Sequence, residues 1–300
     1  RTAAVNIFDA YTADLVEQGV IAEAYSSSAG QDVQAQINEI RNMMSEGYDA
    51  IVVIAATETG LTSVLEEAAE RGIVIVCFDA NVDSDLVYNV NTDQEEYGRL
   101  LAQSLADRLG GEGNILWIRG IEGNAVTNAR TAGMESVLEN YPDINVLGTG
   151  FGEWDDSTTA VEMANLMSAY SSMGIDGVLS EGGGGHAIVE SLIEYGYDPA
   201  EVVISEGEMF NSFMKDWVEL DLNAFCTAQP PYLAAAAVDV ALAVLNGEEV
   251  ESWTYIDLPT CSSREEAEEK WYQPDQDGNF VCDWTDNNNT WNLTIEDVAG

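Results

Sequence analysis

The stretch Tyr48–Asp93 restricts the fold more than any other part of the chain. Its two apolar runs, Ala50–Ala56 and Ile73–Phe78, are short, rich in Val and Ile and nearly free of polar residues. That is the composition of strands buried on both faces of a parallel sheet. Between them Leu61, Val64, Leu65, Ala68 and Ala69 recur at helical spacing, Glu66, Glu67, Glu70 and Arg71 take the opposite side, and Gly72 is a stop signal. The pattern predicts one βαβ unit. Its second strand delivers Asp79 at a carboxyl end, and in open α/β sheets ligands bind beyond those ends. Asp79 is therefore the first candidate ligand contact.

The same alternation predicts most of the remaining elements. An amphipathic helix over residues 1–18 precedes a strand Val20–Tyr25 and a helix Gln31–Glu46. A doubly wound sheet normally places a strand ahead of its first helix, so the reading expects a first strand that the given residues lack. After Asp93 come helix Glu95–Leu109, strand Asn114–Arg119, helix Val126–Asn140, strand Asn145–Thr149, helix Ser157–Ser171 and strand Gly177–Ser180. Helix His186–Tyr195, strand Val202–Ser205, helix Asn211–Leu220, strand Ala224–Ala228, helix Leu233–Leu245 and strand Trp253–Leu258 complete the pattern. The fold class is α/β, with two Rossmann-like doubly wound lobes. Residues 1–91 with 230–257 are expected to form one lobe and residues 92–229 with 258–300 the other. Crossings near Asn91–Asp93, Gln229–Pro231 and Leu258–Pro259 would make a multi-strand hinge.

Composition narrows the function. The 300 residues carry 54 acidic and 10 basic side chains, a formal charge of −44. Phosphates would be repelled, so a nucleic-acid or anionic-membrane surface is excluded. Such a surface suits a secreted protein or one from a salty habitat. No run of about 18 apolar residues spans a membrane. Cys77, Cys226, Cys261 and Cys282 show no CxxC spacing, which disfavours a structural zinc site. Cys77 lies in a core strand, while Cys261 and Cys282 flank a polar tail in which a disulfide would fit an oxidising compartment.

The glycine run Gly182–Gly185 before a helix could cradle a phosphate, but no GK[ST] follows it. A loop that lets backbone approach a ligand, or a flexible connector, is the better reading. His186 is the only histidine, so triad catalysis would have to run through it, and no GxSxG surrounds a serine. Asp275-Gln-Asp277-Gly-Asn279 has the spacing of a calcium loop without a glutamate at the twelfth place; a solvated loop is the favoured reading.

The succession GIVIVCFDA, YNVNTDQEEYGR, GNILWIRGIEGNAVTNARTAGM, EWDDSTTA, GVLSEGGGGHA and AQPPYLAAAAVDVAL resembles the sugar-type periplasmic binding proteins, the solute-binding subunits of bacterial ABC importers related to ribose- and galactose-binding proteins. The resemblance runs to about Leu258. It implies a sugar clamped between two lobes, with Asp79 as the acidic contact, Arg130 in an AR-x-x-G context as the ligand arginine, Trp154 as the stacking aromatic and Gln229 as the amide at the second crossover. A strand end that usually carries Asn-Asp reads Glu181-Gly182-Gly183 here. In SEGEMFNSF, one of Glu206, Glu208 or Asn211 would take the polar role, and Asn124 lies in the loop before the arginine helix.

These residue types suit a sugar on chemical grounds. Carboxylates and amides take the hydroxyl edge, a guanidinium donates in a fixed fork, and an indole covers the C–H face. Arg130 is one of ten basic residues and sits near a helix start, where the dipole disfavours a cation. The implied function is a non-enzymatic, extracytoplasmic, monomeric binder of a small-molecule sugar or polyol that serves an ABC permease, membrane-anchored as a lipoprotein or free. No cofactor or metal is expected. A receptor-coupled sugar sensor, or the effector core of a LacI-type repressor, is the alternative on the same fold; the repressor's basic helix-turn-helix is missing.

Overall fold

The computed structural model describes residues 2–30, 32–57, 59–285 and 290–295. In chain order the elements are α1 (Thr2–Glu17), α2 (Val33–Glu46), β1 (Ala50–Val53), α3 (Thr62–Glu70), β2 (Val74–Phe78), β3 (Tyr88–Asn91), α4 (Gln94–Leu109), β4 (Glu112–Arg119), α5 (Ala125–Leu138) and β5 (Asp143–Phe151). They continue with α6 (Asp156–Tyr170), β6 (Gly177–Ser180), α7 (Gly185–Glu194), β7 (Val203–Gly207), α8 (Asn211–Leu220), β8 (Ala224–Thr227), α9 (Leu233–Leu245), β9 (Trp253–Tyr255) and β10 (Thr260–Cys261). Two compact units result: Arg1–Thr92 with Pro230–Asp257 and Trp284–Gly300, and Asp93–Gln229 with Leu258–Asp283.

In the first unit four parallel strands run in the order β1-β2-β3-β9. Successive side chains of a strand face opposite ways. Ile75 and Cys77 of β2 enter the cluster built by Ile40 and Met44 of α2 and Val64, Leu65 and Ala68 of α3, and α9 covers the strands with its alanine-rich, buried surface. Cys77 is thus a sealed core thiol, as its place in the strand predicts.

The predicted strand Val20–Tyr25 does not form. Its residues make no ladder, and Val20 and Tyr25 are about half exposed. The segment has too few large apolar side chains on either alternation face to bury against α1 or α2. Beside it, a cavity of about 170 Å³ is lined by Phe8, Tyr25, Ile40, Met43 and Val53. The tail also differs from expectation. Trp291 stacks on Tyr232 with centroids 5.4 Å apart and donates Nε1–H to Asp239 of α9 at 2.8 Å, which seats it in the first unit because an indole finds apolar cover and an acceptor there. Arg1, and Asp286 at the twelfth place of the calcium-loop spacing, lie outside the described residues.

In the second unit the sheet order is β10-β8-β7-β6-β4-β5, parallel except for β10. The chain enters at β4, steps outward to β5 and returns on the other side to β6. The strand order therefore reverses between β4 and β6, and their carboxyl ends form a topological switch point, the place where such sheets bind ligands. Tyr97, Leu101, Leu105, Ile115, Met134 and Leu179 fill one core face. The predicted helix Arg264–Trp271 starts as a helical turn and continues as a π-helical turn, Ala267–Trp271.

One side chain gathers several groups of this unit's tail. Asn211 donates Nδ2–H to the carbonyls of Gln273, Gln276 and Asp277 at 2.8, 3.0 and 3.2 Å, and its Oδ1 accepts from the Gln273 N–H at 2.9 Å. With both ends of its amide engaged by the tail, Asn211 has a structural role where a sugar contact was expected. Cys261 and Cys282 are not bonded to each other; all four cysteines are buried free thiols.

Candidate functional site

The switch point of the second unit is where the predicted residues gather. β4 ends in Arg119 and runs into Gly120, while β6 ends in Ser180 and runs into Glu181. The Glu181 carboxylate joins the two ends: Oε2 accepts the Gly120 N–H at 2.9 Å and Oε1 accepts the Thr131 hydroxyl at 2.8 Å. Thr131 in turn accepts from Arg119, whose guanidinium lies 4.0 Å from Glu181. Burial raises the Glu181 pKa, against hydrogen bonds from Gly120 and Thr131 and the charges of Arg130 and Arg119. Glu181 is fully buried, so it is a brace behind the site and not, as expected, a surface that meets ligand.

Arg130 is the centre of the constellation. It projects from α5, which packs against α4 so closely that a Cβ on Gly98 would lie 2.0 Å from the Arg130 carbonyl oxygen. The approach brings the guanidinium over the Tyr97 ring, 3.6 Å from its centroid, with the Trp154 ring 5.8 Å away. Nε–H donates to Gln94 at 2.8 Å and an Nη1–H to the Glu181 carbonyl at 2.7 Å. Nη2 is 3.6 Å from the Glu208 carboxylate, which also accepts from the Tyr97 hydroxyl at 3.3 Å. Two aromatic faces and two fixed acceptors leave this arginine one orientation.

Trp154 is placed by strained backbone. Glu153 and Trp154 both have left-handed φ, +55° and +57°, which costs roughly 1–2 kcal/mol per residue. The turn closes because neighbouring backbone has no side chains in the way: a Cβ on Gly183 would lie 2.4 Å from the Trp154 carbonyl oxygen, and one on Gly120 would lie 2.5 Å from its indole. The glycine run therefore admits Trp154 to the site. Gly182, at φ +121°, belongs to the same packing; a Cβ there would strike the Gly207 carbonyl at 2.0 Å.

Gln229 at the end of β8 accepts from Gln94 Nε2 at 2.9 Å, so Arg130, Gln94 and Gln229 form one chain of hydrogen bonds. Glu208 follows β7 with φ +96° and an 18% exposed side chain. Glu206, two residues earlier, is fully buried beneath the glycine run, where its Oε1 accepts the Gly184 N–H at 3.3 Å. Burial pushes its pKa from the ordinary 4.5 up to about 8, so it is an uncharged support at neutral pH and not the ligand contact expected of it. Asn124 is the N-cap of α5, accepting the Val126 N–H at 2.8 Å. Asp79 stands in the first unit, at left-handed φ +61° after β2, its carbonyl held by Asn91 Nδ2 at 2.7 Å.

Sequence reasoning missed Tyr97, Gln94 and Arg119. YNVNTDQEEYGR was read as a pattern, and nothing marked Gln94 and Tyr97 as sharing a helix face with spacing i, i+3 that points at Arg130. His186 lies off this constellation. It pairs with Asp216 at 2.6 Å between α7 and α8. Among the described residues no group of His, Cys, Asp and Glu is placed to hold a metal ion, and no helix is long and apolar enough to cross a membrane.

The switch point of the second unit thus gathers a cation, two aromatic rings and a carboxylate. The chain belongs to the family of periplasmic binding protein domains, whose model matches residues 1–249. It is 31% identical to the xylitol-binding protein of Mycolicibacterium smegmatis over 60% of this chain and 52% of that one. It is 28% identical to a multiple sugar-binding periplasmic protein of Azospirillum brasilense over 73% of this chain and 68% of that one. The chain thus spans about half the length of the first of these relatives. Among solved structures, the periplasmic binding component of the arabinose ABC transporter of Shewanella sp. ANA-3, with L-arabinofuranose bound, superposes with a TM-score of 0.77 at 25% identity, covering 88% of each chain.

Proposed function

We propose that the chain captures a neutral monosaccharide or small polyol outside the cytoplasm and delivers it to an ABC permease, without catalysing a reaction and as a monomer. The observation that carries this reading is the held guanidinium of Arg130 beside the Trp154 indole, with Glu208 next to it as an acceptor. Positive and negative charge balance there, so a neutral guest with both donors and acceptors suits the site better than an ion. In this reading Trp154 covers the C–H face, Arg130 and Glu208 take hydroxyls, and Gln229 is reached through Gln94. Asp79 is a further candidate acceptor by its place at a strand end.

The family membership supports a binder and not an enzyme, and the relatives' xylitol, sugar and arabinose names support the ligand class. A thermal-shift panel of pentoses, pentitols, hexoses and nucleotides tests it. Stabilisation by one or a few carbohydrates and none by nucleotides is expected; stabilisation by nucleotides alone contradicts it.

A further inference from the structure

Two of the four thiols face each other at one edge of the second unit's sheet. Cys226 in β8 stands directly opposite Cys261 in β10. Opposed residues of an antiparallel pair have α-carbons about 4.5–5.5 Å apart, within the roughly 4.4–6.8 Å that a disulfide spans. Both side chains are fully buried. Each sulfur has only weak partners: Cys226 Sγ–H meets the Glu208 carbonyl at 3.4 Å, and Cys261 Sγ–H meets the Ser263 carbonyl at 3.6 Å. Cys282 is placed differently. Its backbone N–H bonds the Met209 carbonyl and its sulfur faces Asn211 Oδ1 at 3.5 Å, so the strand register opposes Cys261 to Cys226 and not to Cys282.

We propose that Cys226 and Cys261 form a cross-strand disulfide when the chain meets a small-molecule disulfide oxidant such as oxidised glutathione. One cysteine thiolate attacks a glutathione sulfur, forming a mixed disulfide and expelling one glutathione thiolate. The second cysteine thiolate attacks the protein-bound sulfur, forming the Cys226–Cys261 bond and expelling the other. Two protein thiols are oxidised, one glutathione disulfide is reduced to two thiols, and the two protons end on the expelled thiolates. The bond fastens a two-residue strand to β8, the strand that leads to Gln229. Because both sulfurs are sealed, oxidation requires β10 to open, and mild denaturant accelerates it.

The chain's few cleavage sites give a decisive readout. Trypsin cuts after Lys215, Arg264 and Lys270, so one peptide, residues 216–264, carries both Cys226 and Cys261, while residues 271–300 carry Cys282. The full chain is incubated with oxidised glutathione, alkylated in denaturant, digested without reductant and weighed. The expected result is peptide 216–264 unalkylated and lighter than its reduced form by two hydrogens, with Cys77 and Cys282 alkylated. A cross-link between the two peptides, or four alkylated cysteines, overturns the proposal. Oxidation should also raise the Tm of the wild type and of Cys282→Ser by roughly 5–15 °C and leave Cys226→Ser and Cys261→Ser unmoved; an equal rise in all four overturns it.

Discussion

The guanidinium of Arg130 lies over the ring of Tyr97, its carbon 3.6 Å from the ring centroid. Both side chains are buried, and both also reach Glu208. The contact turns a flexible cation into a fixed donor before any ligand arrives, which reduces the ordering cost of binding.

Removing that donor is expected to be severe. Arg130→Ala leaves Glu208 without its cation, and titration with the preferred carbohydrate should show affinity reduced by at least about two orders of magnitude. Arg130→Lys should fail almost as badly, since an ammonium cannot reproduce the fork that bonds Gln94 and the Glu181 carbonyl together. A lysine variant that binds normally would assign the arginine a structural role only.

Gly183→Ala should displace Trp154 while leaving every proposed contact side chain chemically unchanged. The new methyl would meet backbone and not a movable side chain, and the position has φ +82°. We expect about 2 kcal/mol or more of lost stability in denaturant unfolding, together with altered near-ultraviolet dichroism and lost carbohydrate binding.

Glu206 makes stability depend on pH in a sense opposite to that of a salt-bridged carboxylate. Its folded pKa is raised from about 4.5 to about 8 by burial, so between those values the folded chain keeps a proton that the unfolded chain releases. The stability it contributes is full below about pH 4.5 and falls as pH rises towards 8. Glu206→Gln carries no titrating proton, so its stability relative to wild type should improve by roughly 3–5 kcal/mol between pH 4 and pH 9. Urea unfolding at the two pH values measures this, and a constant difference would refute it.

Asn211→Ala should loosen the tail rather than the site. Three carbonyls and one N–H lose their partner, and a cost of about 2–4 kcal/mol is expected. Faster tryptic cleavage after Arg264 and Lys270 would report it directly.

What the sequence revealed follows from which forces are local. The βαβ stretch was legible because Ile75, Cys77, Val64 and Leu65 meet on one sheet face, a periodicity written in the chain. Arg130 and Trp154 were singled out by the family resemblance, and Arg130 also as a cation near a helix start. Val20–Tyr25 was misread because strand propensity is decided by a neighbouring ladder that no sequence window contains. Glu206 and Asn211 were misassigned for a related reason: a polar residue facing ligand and one holding up a loop look alike until their hydrogen-bond partners are known. Gln94 and Tyr97 escaped notice because their importance comes from α5 crossing α4 at Gly98, a tertiary relation. The opposition of Cys226 to Cys261 depends in the same way on β10, too short to leave a pattern.

The central claim is that a neutral carbohydrate is bound against Trp154 beside Arg130. Isothermal titration of the wild-type chain and of Trp154→Ala with a panel of neutral pentoses, pentitols and hexoses tests it most directly. The account predicts at least one ligand with Kd on the order of micromolar or below for the wild type and a loss of about tenfold or more in the alanine variant. Flat titrations for every neutral carbohydrate, or equal affinity in the two proteins, would contradict it.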